Sequence, residues 1–112
     1  MTAWWPMPNL VAVLSLRMEK EWLCLDRRTR HSYRVELDEL VAQHPRVRWR
    51  YFDSEALSGN YQDFVILEFS DLMDYHNLWE SLRDHPVFSK PHFSLVSVQL
   101  GVERPSQIEE AK

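Results

Sequence analysis

The sequence predicts an α+β fold in which two helices cover one face of a four-stranded antiparallel sheet, connected in the order βαββαβ. Three observations carry this reading. Each half of the chain runs strand, helix, His-Pro, strand, with His44-Pro45 and His85-Pro86 at matching points. The segments 10–18 and 62–69 are apolar on both faces, as central strands are. Residues 46–51 alternate strictly between Arg and apolar side chains, the pattern of an edge strand that charge protects from further pairing. At 112 residues the chain is expected to form one domain, with a core over about 9–103 and a polar tail over 104–112.

The elements follow in order. Leu10 to Met18, rich in Val and Leu, reads as the first strand. Trp22 to Leu25 is a short apolar cluster after a charged turn, in which Cys24 is expected to behave as a buried small hydrophobe. Asp26 is a candidate N-cap. Tyr33, Leu37, Leu40, Val41 and His44 recur at helical spacing, so a helix is expected over about 26–43, stopping before Pro45. Arg46 to Tyr51 is the second strand, and Asp53 to Tyr61, with Ser54, Ser58, Gly59 and Asn60, reads as a loop.

Gln62 to Phe69 is the third strand, interrupted only by Asp63 and Glu68. Ser70 and Asp71 start a second helix with the stripe Leu72, Tyr75, His76, Trp79 and Leu82, ending at Asp84. Phe93 to Val102 is a nearly uncharged fourth strand. This order is the split βαβ, or ferredoxin-like, arrangement with strand order 4-1-3-2. Two helices cover only one sheet face, yet strands one, three and four are apolar on both. A second copy is the simplest cover, which predicts a homodimer forming a dimeric α+β barrel. Val96 and Val98, two residues apart on a regular strand, are expected to share the face that meets the partner.

Composition excludes several classes. The two glycines, Gly59 and Gly101, cannot write a dinucleotide or phosphate-cradling motif. The single cysteine rules out a disulfide framework and a paired-cysteine zinc or redox site. No metal-ligand spacing is visible, so no metal and no cofactor are expected. Residues 17–50 carry nine Lys/Arg against six Asp/Glu, and residues 51–112 carry four against eleven, giving the net charge of −4. Because acids interleave with the bases, this asymmetry reads as internal neutralisation rather than nucleic-acid binding. The longest apolar run is far too short for a bilayer and the first residues lack a signal pattern, so no membrane association and a cytoplasmic location are expected.

The segments Glu21-Trp22-Leu23-Cys24-Leu25 and Tyr51-Phe52-Asp53-Ser54-Glu55-Ala56-Leu57-Ser58, then Asp63 and Leu82-Arg83-Asp84-His85-Pro86-Val87-Phe88, resemble the darcynin family of small bacterial proteins. The resemblance covers most of residues 10–103 and departs at Trp4-Trp5-Pro6. It implies the dimeric α+β barrel and no settled reaction. Pro86-Val87-Phe88 and Pro91-His92-Phe93 are also similar to antibiotic-biosynthesis monooxygenases, which implies cofactor-free chemistry on aromatic polyketides between sheet and helices.

Candidate site residues follow. Trp22, Trp49, Tyr51, Tyr75, Trp79 and Phe93 are available as an aromatic lining. His76 on the helical stripe is a candidate general acid/base, although a stripe histidine is more often a core residue. Asp53 and Glu55 are a carboxylate pair that either divides acid and base roles or caps the loop. Arg50, with Arg46 and Arg48, either binds an anionic substrate or pairs with Glu68 or Asp63 across the strands. His92 is a candidate substrate contact. In haem-degrading relatives a histidine after the second helix ligates iron, which would place Asn9 opposite, but a solvent-exposed histidine at the start of the strand is the plainer expectation. The function these residues suggest is binding of a small organic molecule, with a cofactor-independent isomerisation, cyclisation or oxygenation in a biosynthetic pathway, or a non-enzymatic binding module, as the two outcomes.

Overall fold

Strand β1 (Leu10–Met18) lies at the centre of the sheet, between β3 (Gln62–Phe69) and β4 (Phe93–Val102), and β2 (Arg48–Phe52) completes the order β2-β3-β1-β4. All pairings are antiparallel in this computed structural model, which describes residues 9–104. The expected strand order 4-1-3-2 is this one. The reading of a fraying tail over 104–112, and the Trp4-Trp5-Pro6 segment, lie outside the described residues apart from Arg104. Between the strands run α1 (Lys20–Leu23), α2 (Arg27–Ala42), α3 (Glu55–Ser58), α4 (Leu72–Leu82) and α5 (Pro86–Ser89).

The register divides the sheet into two unlike faces. Leu14 stands opposite Val65, Ala12 opposite Leu67, and Leu67 opposite Trp49, so these residues share the face beneath the helices. Ala12, Leu14, Val65 and Leu67 are fully buried there against Leu78 and Leu82 of α4. The opposite face carries Val13 beside Ile66, and Arg48 and Arg50 beside Glu68. Glu68 Oε1 lies 3.2 Å from Arg50 and 3.9 Å from Arg48. Arg46 instead approaches Asp74 of α4 at 4.0 Å. Since the Arg50 side chain is 42% exposed and its truncation opens Glu68 to water, Arg50→Ala should lower the unfolding free energy by less than about 1 kcal/mol in urea titration.

Several expectations are corrected. The segment 20–23 and the loop segment 55–58 each close one helical turn, and Gly59 ends α3 with φ of 69°, in the left-handed region glycine tolerates. Cys24 is exposed rather than buried, because it caps the end of α1. The buried stripe of α4 is Tyr75, Leu78, Trp79 and Leu82, with Leu72 and His76 exposed. Packing Leu78 inward turns the helix about its axis and carries His76 out to solvent.

Strand β4 departs most from the expected burial on both faces. Val98 pairs with Leu14 and Ser97 with Ser15, but Leu16 pairs with Leu95, so a bulge leaves Val96 without an opposite residue. The extra residue breaks the alternation on which a shared face for Val96 and Val98 depends. Leu95, Val98 and Leu100 all stand on the helix side, where they pair with core residues of β1 yet remain exposed.

Candidate functional site

The N-terminus of α2 is set by Asp26, whose carboxylate accepts a 2.7 Å hydrogen bond from the Thr29 amide. That bond, ahead of the nearby Arg30 charge, holds the Asp26 carboxyl below its ordinary range. From this start the helix turns Tyr33, Arg34, Leu37 and Asp38 toward the sheet, where they roof a cavity of about 220 Å³ that is partly open to solvent. Its floor is Leu16 of β1, Trp49 and Tyr51 of β2 and Phe93 of β4. Trp22 of α1 and Val87 and Phe88 of α5 close the sides. The walls are predominantly apolar, with one cation and one carboxylate at Arg34 and Asp38. Arg34 lies with its guanidinium carbon 5.7 Å from the Trp22 ring centre, a cation–π contact.

Beneath the floor is a buried carboxylate. Asp63, 3% exposed, accepts from the Tyr51 hydroxyl at 2.5 Å through Oδ2, and from the Ser54 and Glu55 amides at 2.8 and 3.1 Å through Oδ1. Its position on β3 places it opposite Leu16, on the helix side of the sheet. The turn of α3 brings the two amides over it. Burial, then the hydrogen bond to Asp63, pushes the Tyr51 phenol well above its ordinary range, so the hydroxyl keeps its proton.

A second buried group lies behind the wall. His92 is 3% exposed, not the exposed residue expected at the start of β4. Its ring centre is 5.0 Å from Tyr33 and 6.0 Å from Trp22, and neither ring nitrogen has a hydrogen-bond partner among the described residues. Its backbone ties α5 and α1 together, donating to the Val87 carbonyl and accepting from the Glu19 amide. Burial, then the Lys90 charge, lowers the His92 pKa below the ordinary histidine value. His85 nearby accepts from the Val87 amide at Nδ1, which leaves its proton on Nε2, 3.0 Å from Glu36.

Four of the expected site residues, Trp22, Trp49, Tyr51 and Phe93, share the cavity wall. Tyr75 stacks on Phe69 at 4.8 Å, away from the cavity lining, while Trp79 meets the wall residue Phe88 edge-on at 5.4 Å from behind. His76 and Asp53 are exposed, Glu55 contributes its amide to Asp63, and Arg50 lies on the far face of the sheet with Glu68. Arg34, Asp38 and Phe88 are not among the site residues expected from the sequence. The usable signal is the α2 stripe, since Arg34 and Asp38 each follow one of its members, Tyr33 and Leu37. The sequence offers Asp63 as a possible cross-strand partner of the arginines, whereas its register opposite Leu16 puts it on the other face. Among the described residues no group of three His, Cys, Asp or Glu side chains could hold a metal ion.

No family model matches the chain. It is similar to Darcynin of Chromobacterium violaceum, 34% identical over 64 residues that span 57% of this chain and 81% of that protein. The chain belongs to the darcynin family. A second member, Darcynin 1 of Acinetobacter baumannii, is 27% identical over 82 residues, covering 72% of this chain and 91% of the relative. Among solved structures the darcynin fold is similar to chlorite dismutase from Candidatus Nitrospira defluvii in complex with imidazole. The TM-score is 0.75 at 15% identity, over 91% of this chain and 43% of that one. It is also similar to a heme-binding protein from Thermus thermophilus, with a TM-score of 0.79 at 14% identity, over 95% and 44% of the two chains. This darcynin chain thus spans under half the length of both structural neighbours, and at such identity the likeness is one of fold.

Proposed function

We propose that the protein binds a small planar aromatic molecule in the cavity between α2 and the sheet. The observation that carries this reading is the wall itself, with Trp22, Tyr33, Trp49, Tyr51, Phe88 and Phe93 around about 220 Å³ of space. A dry cavity of about 150 Å³ is known to hold benzene, so the space here suits a bicyclic ligand. Aromatic walls favour offset or edge contact with such rings. None of His76, Asp53, Glu55 and Arg50 lines the cavity, so the reading is binding rather than a stated reaction.

The heme-binding neighbour invites a test of whether a haem fits these residues. The ring nitrogens of His92 have no partner among the described residues, as those of an iron ligand would before loading. Yet it lies off the cavity wall, behind Trp22 and Tyr33, and the cavity is smaller than the roughly 300–1,000 Å³ that drug-sized ligands occupy. A tetrapyrrole is larger than those ligands. The residues do not fit a haem.

A homodimer is the second part of the reading. Leu95, Val98 and Leu100 on β4 supply exposed apolar surface, on the helix side of the sheet rather than on the bare face that the sequence predicts for the partner, and a stable interface needs about 800 Å² per partner. The ion pairing of Arg48 and Arg50 with Glu68 supports a protein without nucleic acid as partner. Exposed Cys24, the sole cysteine, suits a reducing compartment such as the cytoplasm. Light scattering should give twice the chain mass, and Val98→Asp should halve it. A monomeric wild-type protein would refute the dimer.

The cavity is tested by titrating 2-naphthol and indole into isotope-labelled protein. Amide shifts should cluster at residues 33–38, 49–51 and 87–93, with dissociation constants between about 1 µM and 1 mM. Shifts scattered over the surface, or none with either probe, would overturn the reading.

A further inference from the structure

The Tyr51 hydroxyl has one proton, and the structure commits it. Oδ2 of Asp63 takes it at 2.5 Å, while Oδ1 is already occupied by the Ser54 and Glu55 amides. Asp63 is 3% exposed, so water cannot compete for the carboxylate as it would at the surface. An ionised carboxylate only accepts, so the phenolic proton cannot be turned toward the cavity without leaving a buried charge short of a donor. What Tyr51 has left is the acceptor capacity of its oxygen. We propose that Tyr51, polarised by Asp63, is a specificity-determining acceptor that selects aromatic ligands bearing a hydroxyl or N–H donor, such as phenols and indoles.

This rests on the cavity being the ligand site, and it adds a polarity to it. Arg34 can donate to a ligand oxygen whether or not that oxygen carries a proton. Discrimination between a phenol and its methyl ether therefore falls to an acceptor. Asp38 and the Tyr33 hydroxyl are the other side-chain acceptors on the wall, but Asp38 is an exposed residue of α2, and the Tyr33 hydroxyl, with no hydrogen-bond partner among the described residues, can turn to donate or to accept and so does not discriminate.

The same geometry predicts a reversal. In Asp63→Asn the two backbone amides keep the amide oxygen at the Oδ1 position, which directs the Nδ2 group at Tyr51. The amide then donates to the phenol oxygen, and the Tyr51 O–H is released to donate into the cavity. One substitution beneath the floor should convert an acceptor into a donor.

The test is calorimetric titration of the full chain with 2-naphthol and with 2-methoxynaphthalene, which share a ring system and differ in the donor. Wild type should bind 2-naphthol about five- to tenfold more tightly, the worth of one neutral hydrogen bond. Tyr51→Phe should bring the ratio close to one, and Asp63→Asn should bring it to one or invert it. Equal affinities in wild type overturn the proposal while leaving the cavity as a ligand site. A preference that survives in Tyr51→Phe assigns the selection to another group and also overturns it. If neither probe binds wild type, the cavity reading fails and this inference with it. Should Asp63→Asn not fold, Tyr51→Phe alone decides.

Discussion

Replacing Asp63 by Ala should lower the unfolding free energy by about 3–5 kcal/mol, a large share of the roughly 5–15 kcal/mol that holds a domain of this size together. Three donors lose their acceptor at once: the Tyr51 hydroxyl and the amides of Ser54 and Glu55. Hydrogen bonds to a charged group contribute about 1.5–3 kcal/mol each, and the three act as a unit, so the losses add to less than their sum. The melting temperature should fall by more than about 10 °C. Asp63→Asn keeps the shape and the Oδ1 acceptor, and its loss should be less than half as large. Urea titrations of both variants with matched slopes provide the check. An Asp63→Ala protein within about 1 kcal/mol of wild type would mean that the loop amides find other partners.

His92→Phe should move stability the other way. A buried imidazole whose nitrogens have no partner among the described residues carries a desolvation cost that a benzyl side chain does not. Phe retains the ring packing against Trp22 and Tyr33, and the variant should gain about 1–2 kcal/mol at pH 7. The pH dependence follows from the direction of the shift. The folded-state pKa of His92 lies below the unfolded value near 6.5, because burial, then the Lys90 charge, opposes protonation more than Glu21 favours it. The unfolded chain therefore takes up the proton first. The native state holds its full stability above about pH 6.5 and loses it as the pH falls from there toward the lower folded pKa. Asp26, whose carboxyl is also lowered, loses its contribution only below about pH 4, so the two windows are separate. Thermal melts from pH 7.5 to 5 should slope for wild type and run flatter for His92→Phe. A variant less stable than wild type, or one with the same slope, would show that the imidazole has partners in solution.

The ease with which different features can be read from the chain follows their physical range. The strands at 10–18 and 62–69 and the helix after Asp26 are visible because period, capping and the prohibition before proline act within a few residues. Strand order is legible too, since an Arg-bearing edge and two apolar centres leave few arrangements. The short helices at 20–23 and 55–58 are not, because a single turn has too few positions to show a period.

For the site, local patterning names the aromatic residues but cannot assemble them. Trp22, Trp49, Tyr51 and Phe93 come from three different elements, α1, β2 and β4, and only the sheet register and the placement of α2 bring them around one cavity. The stripe of α4 shows the limit most directly. Leu72, Tyr75, His76 and Trp79 satisfy a helical period as well as Tyr75, Leu78, Trp79 and Leu82 do. The choice between them falls to the packing of Leu78 and Leu82 on β1 and β3, and it sends His76 to solvent.

The amino-acid pattern alone suffices for the strands, the longer helices α2 and α4 and the face of β2 that carries charge, because period, capping and alternation act between near neighbours in the chain. The bulge at Val96, the burial of His92 and the Tyr51–Asp63 pair are decided only in the tertiary structure. Each depends on which residue stands opposite which across the sheet, and a shift of one position there exchanges the two faces.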